Sequence, residues 1–334
     1  MLATLTVTFP FFALVLCGYL AARRGLLPLA AIPGMNTFVL FFALPCMLYR
    51  FGASTPIAQL LDPGVALSYL LCALVMVALV VALTRRGRIG WNDAAFGALV
   101  GAFPNTGFMG VPLLVALLGA QAAGPAIVTI LVDMVITTSL CIALSRLGPA
   151  VPDPAHPERD GVQTSAAQAA KNALKGVAAN PMPWAILSGA VVSAYSLRLP
   201  GPVATTVGLL ADSASPVALF TIGAVLARSN LLAASGHAPA VSWGEVLPVA
   251  AIKLLLHPLL VAAVGWAVLA AGFPLDRGAW SVVVLVAALP SASNVSMLAE
   301  RFGADNGRIA RIILVSTAVA FLTFSGAVAW LPRL

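Results

Sequence analysis

The sequence predicts an all-α integral membrane protein in which ten transmembrane helices form two inverted five-helix repeats. Of its 334 residues, 61% are hydrophobic and only 9% are charged, and the mean hydropathy is +1.02, whereas soluble domains carry about 25% charged residues. The apolar residues form continuous stretches long enough to cross a bilayer, which takes about 20 residues per helix. Because polar and apolar residues do not alternate along these stretches, they exclude a transmembrane barrel.

Ten apolar stretches are predicted to span the membrane. The first has no basic segment before it and no convincing cleavage site after it, so we interpret it as a retained helix. The fourth and the ninth are interrupted by a proline followed by polar residues. In chain order the stretches are Ala3–Ala22, Ala31–Tyr49, Gly64–Thr84, Asn92–Leu118, Ala122–Ser145, Pro181–Leu197, Val203–Leu226, Val246–Ala271, Gly278–Phe302 and Ile309–Leu331.

One long polar stretch divides the chain nearly in half. It runs over residues 146–180 and separates a first repeat, 1–145, from a second repeat, 181–334. Gly148–Gly161 contains four prolines and several charges and is predicted to be an irregular linker. Gln163–Ala179 is rich in alanine, with Lys171 and Lys175 one helical turn apart, and is predicted to form a surface helix. Its weak apolar face argues against a membrane anchor.

The Lys and Arg residues predict how the chain is oriented. Connections on one side carry thirteen of them and connections on the other side carry four, and cytoplasmic connections carry the excess. The central linker is therefore predicted to be cytoplasmic and both termini outside, in a bacterial-type inner membrane. The thirteen are Arg23, Arg24, Arg85, Arg86, Arg88, Arg146, Arg159, Lys171, Lys175, Arg228, Arg301, Arg308 and Arg311, and the four are Arg50, Arg198, Arg277 and Arg333.

The second half of the chain repeats the order of the first. Since each half has five spans, an odd number, the halves must have opposite orientations. Paired interruptions in corresponding spans are the best pointer in a sequence to the substrate site of a secondary transporter. Three correspondences support the repeat: Pro45 with Pro216, Pro104 with Pro290, and Ile130–Asp133 with Ile313–Ser316.

The two interruptions predict an anion site. Each one leaves a half-helix whose N-terminus has unpaired N–H groups and a partial positive charge. Two such ends meeting near the midplane would favour an anion, with uncharged side chains and glycine backbone around it. The predicted substrate-binding residues are Pro104, Asn105, Thr106, Gly107, Pro290, Ser291, Ser293 and Asn294.

These residues resemble the auxin efflux carrier family. The likeness rests on Ala102–Gly110, which reads AFPNTGFMG around its Pro-Asn-Thr-Gly core, with Pro45, Ser215–Phe220 and Pro290 in support. It covers nearly the whole chain. The resemblance implies that spans four and nine cross at their prolines, in an architecture like that of the bile-acid symporters and NhaA. It also implies a scaffold domain, a mobile transport domain and a homodimer.

The resemblance further implies the class of substrate. Members of this family move organic anions, namely indole acetate in plants and malonate or other carboxylates in bacterial members with short central linkers. Pro104, Asn105 and Pro290 match the positions where the helices cross. Related bile-acid-type carriers bind sodium near the crossing, but no acidic residue stands beside Pro104 or Pro290 in this chain.

Two ionisable residues inside predicted spans are the most informative of the rest, because such groups normally face protein or water. In one interpretation, Lys253 attracts the carboxylate or replaces a coupling cation, and Asp133 carries a proton. In the other, the two form a structural ion pair, or Lys253 reaches the membrane boundary. Asp212 is a third candidate for coupling or charge compensation, and His257 is interpreted as a packing or hydrogen-bonding residue.

We therefore expect a secondary carrier of a small mono- or dicarboxylate, with the lipid bilayer as its surroundings and with proton or sodium coupling left open. A sodium/proton antiporter, a sodium-coupled anion symporter and a membrane sensor that binds without transporting are the alternatives. No catalytic motif, metal-binding pattern or cofactor motif is present, so an enzyme is not expected. The net charge of +7 fits membrane topology rather than nucleic acid. The four cysteines, Cys17, Cys46, Cys72 and Cys141, are expected to be packing residues.

Overall fold

The computed structural model describes residues 2–54, 62–85, 89–147, 181–234 and 242–331, and these residues are helical with no β-strand among them. The linker and surface helix expected within 146–180 lie almost wholly outside these ranges. The helices are α1 Leu2–Arg23, α2 Ile32–Phe38, α3 Leu44–Ser54, α4 Pro63–Thr84, α5 Trp91–Ala102, α6 Val111–Leu118, α7 Ala123–Val132, α8 Thr138–Ser145, α9 Pro181–Ala194, α10 Gly201–Ala234, α11 Trp243–Ala251, α12 His257–Ala270, α13 Arg277–Ala288, α14 Asn294–Arg301 and α15 Asn306–Trp330.

Six helical stretches in the described part of the chain are long and apolar enough to cross a membrane. Large apolar side chains such as Leu209 and Leu322 point outward from them, 69% and 70% exposed, as lipid-facing side chains do. Four further apolar helices are shorter. The six stretches are Leu29–Ser54, Pro63–Thr84, Ala120–Ser145, Gly201–Leu232, Trp243–Ala270 and Asn306–Trp330, and the shorter helices are Phe9–Arg23, Thr106–Leu118, Trp184–Ala194 and Arg277–Ala288.

Several helices continue through a widened π turn instead of breaking. Val39–Ala43 joins α2 to α3, Asp133–Thr137 joins α7 to α8, and Ile252–Leu256 joins α11 to α12. The turns at 39–43 and 252–256 end two residues before Pro45 and Pro258. A proline ring clashes with the carbonyl four residues earlier, and an extra residue in that turn relieves the clash. Pro45 is therefore absorbed within one helix, not marked by a break.

The helices form two groups that pack mainly within themselves. In the first, α1 lies along α10, α9 lies along α3, and α3 also packs on α10; we call it the glycine-packed bundle. In the second, α4, α5, α7, α8 and α11 to α15 pack on one another; we call it the interrupted-helix bundle. The short helix α6 follows the first interruption and contacts α1 as well as α7.

Glycines set the close approach of backbones within the glycine-packed bundle. A Cβ on Gly18 would lie 1.9 Å from the carbonyl oxygen of Phe220, and one on Gly223 would lie 1.9 Å from that of Val15. At the α3–α9 crossing, a Cβ on Gly52 would lie 2.6 Å from the carbonyl oxygen of Ile186. Small residues let membrane helices approach this closely, so both crossings fix their helix pairs firmly.

Candidate functional site

The two interrupted helices meet at their interruptions. Residues 103–105 and 290–292 run antiparallel, with Pro104 opposite Ser291. The N–H of Asn105 donates to the carbonyl of Pro290 over 2.8 Å, and the N–H of Ala292 donates to the carbonyl of Phe103 over 2.9 Å. Backbone groups that an uninterrupted helix would have satisfied internally are thus satisfied by the other segment, as backbone at membrane depth requires.

Each interruption begins at the residue before a proline. Phe103 has φ −91° and ψ 106°, and Leu289 has φ −65° and ψ 156°. A residue preceding proline is pushed out of the α region into extended backbone, and the proline itself offers no N–H to continue the helix. The helices therefore end at Ala102 and Ala288.

A small cavity lies beside the first interruption, between it and the glycine-packed bundle. Its volume is about 20 Å³, room for about one water molecule and far below the roughly 300–1,000 Å³ of an open ligand pocket. Among the described residues, no acidic side chain lines it. The lining residues are Leu44, Leu48, Phe103, Pro104, Asn105, Gly107, Phe108, Ile130, Met134, Ala292 and Asn294.

Two amide side chains at this cavity lack partners. The Asn105 side chain is buried, 4% exposed, and makes no hydrogen bond to another described residue. The side-chain oxygen of Asn294 is buried without a hydrogen-bond partner. Buried polar groups are normally paired, so these two amides are available to a ligand or to water.

The other predicted site residues are arranged unequally. Gly107 lines the cavity beside Asn105, whereas Thr106 is fully buried and directs its hydroxyl toward the Pro104 carbonyl, 3.5 Å away. Ser291 is fully buried, and its hydroxyl has no partner. Ser293 is partly exposed. Pro290 contributes the carbonyl that Asn105 bonds, so the structure brings the backbones of all these residues together but turns fewer side chains to the cavity.

Some residues around the interruptions were not predicted. Leu44 and Leu48 approach from α3, and Ile130 and Met134 approach from the span that carries Asp133. They are ordinary apolar residues in the sequence, so no local signal distinguishes them. The hydroxyl of Ser316 accepts the N–H of Ser291 over 3.2 Å; its place in the repeat, matching Asp133, was visible, but its contact was not.

Asp133 lies in a buried polar cluster away from the cavity. It is fully buried and accepts hydrogen bonds from the hydroxyls of Tyr69, over 2.6 Å, and Thr137, over 3.0 Å. The Thr138 hydroxyl donates to the Asp133 carbonyl over 2.8 Å, a bond that occupies the carbonyl where the helix widens. The carboxylate is therefore held by hydroxyl groups on two helices.

Lys253 is also fully buried within the protein. Its ammonium donates to the carbonyl of Ala287 over 2.7 Å and lies 3.1 Å from Nδ1 of His257. No nitrogen–oxygen distance between Asp133 and Lys253 is 4.0 Å or less, so the two do not form a direct ion pair. In a continuous helix the Ala287 carbonyl would accept the N–H of residue 291, which here bonds Ser316 instead. Lys253 thus satisfies the carbonyl that the second interruption frees.

Asp212 is placed elsewhere. Its carboxylate pairs with Arg50 over 2.6 Å on the outer face of the glycine-packed bundle, where the two side chains are 69% and 44% exposed. It does not line the cavity. Across the described residues, no group of three or more His, Cys, Asp or Glu is arranged to hold a metal ion.

Comparison with known proteins finds similarity over nearly the whole chain. A family model described as "Membrane transport protein" matches residues 4–328. The "Putative malonate transporter" of Rhizobium meliloti is 28% identical over 95% of this chain and 92% of its own length. The "Uncharacterized transporter YfdV" of Escherichia coli K12 is 25% identical over 88% and 86%, and "Auxin efflux carrier component 8" of Arabidopsis thaliana is 23% identical over 95% and 94%.

Proposed function

Because this chain belongs to the membrane transport protein family that includes the auxin efflux carriers, we propose that it is a secondary carrier of a small organic anion. It is a multi-pass membrane transporter and not an enzyme. The observation that carries the proposal is the Asn105 amide, which has no hydrogen-bond partner among the described residues and lines a small cavity between the two interruptions. No acidic side chain of the described residues lines this cavity.

The anion binds at the paired interruptions. The half-helices that start at Thr106 and Asn294 direct their first-turn N–H groups and partial positive charges toward the interruptions. Asn105, Thr106, Ser291, Ser293 and Asn294 supply neutral donors and acceptors, with Pro104, Gly107 and Pro290 shaping the backbone. A carboxylate suits this site because it accepts several hydrogen bonds at once, and charge-assisted bonds are the strong ones.

The chain forms ten spans in two inverted repeats, 1–145 and 181–334, joined by the linker 146–180. The glycine crossings support this arrangement. Gly18 and Gly223 join the first predicted span to the seventh. Gly52, just past the second predicted span but on the same helix, joins it through Gly189 to the sixth. In the repeat, span one corresponds to span six and span two corresponds to span seven. The crossing of spans one and seven is therefore the counterpart of the crossing of spans six and two.

Transport proceeds by alternating access, with the interrupted-helix bundle moving against the glycine-packed bundle. The close backbone contacts make the glycine-packed bundle the rigid partner. The cavity is bounded by Leu44 and Leu48 of one bundle and by both interruptions of the other, so relative movement of the bundles would open it. Its small volume is that of a closed state, because no carboxylate fits without such movement.

The protein lies in a bacterial-type inner membrane with both termini outside and the linker cytoplasmic, as the Lys and Arg distribution favours. It functions as a homodimer, as the resemblance implies. The substrate is a mono- or dicarboxylate of malonate or auxin type; the names of two relatives favour this class.

Two other transport modes and a sensor make different predictions. A sodium/proton antiporter would need carboxylates at the interruptions, and none of the described residues that line the cavity has one. A sodium-coupled anion symporter would need oxygen ligands for sodium near the same place and would lose uptake when sodium is replaced. A sensor would bind the anion without moving it across the membrane.

The test is a flux screen in proteoliposomes over small carboxylates, with pH, sodium and voltage varied independently. We expect saturable exchange of at least one carboxylate by the native protein. Asn105→Ala is expected to abolish this exchange while the protein stays folded. Asn230→Ala is the matched control, because Asn230 bonds Tyr19 within the glycine-packed bundle. Flux saturated only by inorganic cations, or unchanged exchange in Asn105→Ala, would contradict the proposal.

A further inference from the structure

Four titratable side chains are buried together behind the second interruption. Tyr69 comes from α4, Asp133 from the π turn after α7, Lys253 from the π turn after α11, and His257 from the start of α12; all are 0% exposed. The Tyr69 and His257 rings lie 6.1 Å apart, which joins the acidic and the basic ends of the cluster. Ionisable groups at membrane depth are costly and mark ion or proton pathways.

The acidic end of this cluster is built to hold one carboxyl group. The two oxygens of Asp133 each accept one hydroxyl hydrogen bond, from Tyr69 and from Thr137. Both contacts come from groups that donate to a carboxylate and can turn to accept from a carboxylic acid. The site can therefore hold Asp133 with or without its proton.

The basic end touches the interruption itself. Lys253 donates to the Ala287 carbonyl, three residues before Pro290, and its other contact is the His257 ring nitrogen Nδ1. The second ring nitrogen, Nε2, is buried without a hydrogen-bond partner. The lysine charge is thus fixed at the end of α13, and the carboxylate that offsets it lies more than an ion-pair distance away.

We propose that this cluster is a proton site and that its occupancy sets the affinity of the anion site. The proposal rests on the proposed function. When a proton from water on the open side binds the Asp133 carboxylate, an O–H bond forms and the only negative charge of the cluster disappears. Lys253 is then unopposed beside the second interruption, and an anion binds there more tightly. Proton and anion are carried together, one proton for each anion.

The chemistry of the cluster favours a proton over sodium. Sodium needs several oxygen ligands free to accept it, whereas both Asp133 oxygens already receive hydroxyl donors and a lysine ammonium shares the cluster. The titratable groups that interact with Asp133 are Tyr69 from α4, Cys141 from its own span and Lys253. Cys72 lies near Tyr69 on α4, and His257 lies beside Lys253. The neighbouring α13 contributes the Ala287 carbonyl, and its one charged residue, Arg277, lies at its first position.

Linkage fixes the direction of the effect. A proton that strengthens anion binding is itself held more tightly when the anion is bound, by the same factor. A proton gradient directed inward, with the outside more acidic, would therefore drive accumulation of the anion inside. Transport of one proton with a monocarboxylate moves no net charge, and transport of one proton with a dicarboxylate moves one net negative charge. Coupling between two sites is typically about 5- to 150-fold in affinity, which sets the size of the expected pH effect.

The experiment compares three modes of flux in proteoliposomes containing the native protein, Asp133→Asn or Tyr69→Phe, with a carboxylate found in the flux screen as probe. The modes are carboxylate exchange at equal pH, accumulation driven by a pH gradient with voltage clamped, and the apparent affinity measured at several pH values. Asp133→Asn mimics the protonated, neutral state with almost the same shape.

Asp133→Asn is expected to keep exchange, to bind the carboxylate equally well at all pH values and to lose gradient-driven accumulation. Tyr69→Phe removes one hydrogen-bond donor to the Asp133 carboxylate. The pH at which the affinity for the transported carboxylate declines should therefore be higher than in the native protein. Gradient-driven accumulation by Asp133→Asn, or no gradient-driven accumulation by the native protein despite exchange, would overturn the proton site and leave the carrier function standing. Absence of any exchange by the native protein would instead refute the carrier function.

Lys253→Gln separates the charge from the hydrogen bond, because glutamine can still donate toward the Ala287 carbonyl. The expected result is a loss of affinity of about 5-fold or more at acidic pH, together with loss of its pH dependence. Unchanged affinity and unchanged pH dependence in this variant would contradict the role given to the lysine charge. Size-exclusion chromatography in detergent establishes that each variant is folded before its flux is compared.

Discussion

The two interruptions share a backbone design but differ in what surrounds them. At both, the residue before a proline is extended and an N–H is donated to the opposite segment. Two side chains also stabilise the second interruption: the Ser316 hydroxyl accepts the N–H of Ser291, and the Lys253 ammonium donates to the carbonyl of Ala287. The first faces the cavity with Asn105, whose side chain is unpartnered. Both interruptions thus turn an amide to the cavity, Asn105 from the first and Asn294 from the second, but only the second is also held by side chains from behind.

Lys253→Met, which removes a side chain that stabilises the second interruption, is expected to cause the largest loss of stability. It leaves the Ala287 carbonyl buried without a donor, which costs about 1–3 kcal/mol, and it also leaves the charge of Asp133 without an opposite charge nearby. Thermal unfolding in detergent, followed by intrinsic fluorescence, should show a clear drop in midpoint. Lys253→Gln retains a donor and should lose less; equal losses in the two variants would argue against the bond to Ala287.

Ser316→Ala tests the hydrogen bond between the Ser316 hydroxyl and the Ser291 N–H, and it should have a smaller effect. It removes the acceptor of the Ser291 N–H, and a net loss of about 0.5–1.5 kcal/mol is expected for one hydrogen bond. The neighbouring Thr317→Val, a change of similar size on the same helix, is the control. If Ser316→Ala unfolds at the native temperature, the Ser316 contact does not stabilise the second interruption.

Two glycines of the first interruption should respond in opposite ways to alanine. A Cβ on Gly107 meets nothing within 4 Å, whereas one on Gly110 would lie 2.5 Å from Cδ1 of Leu289. Gly107→Ala should leave the unfolding temperature almost unchanged but reduce flux, because its methyl group enters the cavity. Gly110→Ala should lower the unfolding temperature by shifting Leu289. Native flux in Gly107→Ala would place the ligand elsewhere.

Asn105→Ala should change stability least. Since the Asn105 side chain has no hydrogen-bond partner among the described residues, its removal should alter the free energy of unfolding by less than about 0.5 kcal/mol while flux is lost. A large loss of stability would show that the Asn105 side chain stabilises the first interruption, as the Lys253 side chain stabilises the second.

Composition and hydropathy were sufficient to predict the all-helical membrane class and the approximate positions of the described helices, although α3 and α10 extend past the predicted ends at Tyr49 and Leu226. The proline and polar pattern located both interruptions. It could not tell which prolines break a helix. Pro104 and Pro290 do, Pro216 sits inside the unbroken α10, and Pro45 follows a widened turn, because the outcome depends on whether neighbouring backbone can satisfy the freed groups.

Side-chain partnerships were the least predictable part of the candidate site. Asp133 and Lys253 were recognisable as ionisable residues within spans, but their partners come from other helices. Tyr69 and the Ala287 carbonyl are 64 and 34 positions away in the chain. Such contacts follow from the packing of whole spans, and single-sequence patterns report only the face of a helix and its ends.

The widened turn at Val39–Ala43 also sets the phase of the helix that follows it. In this turn the N–H of Leu44 bonds the carbonyl of Val39, five residues earlier, so the turn contains one residue more than an α turn. If the same sequence formed an uninterrupted α-helix, the residues before this turn would be rotated by about 100° relative to Leu44 and Leu48. The apolar wall of the cavity could then no longer face the interruptions while α2 kept its packing. One extra residue in this turn thus keeps the two ends of the span in register with different neighbours.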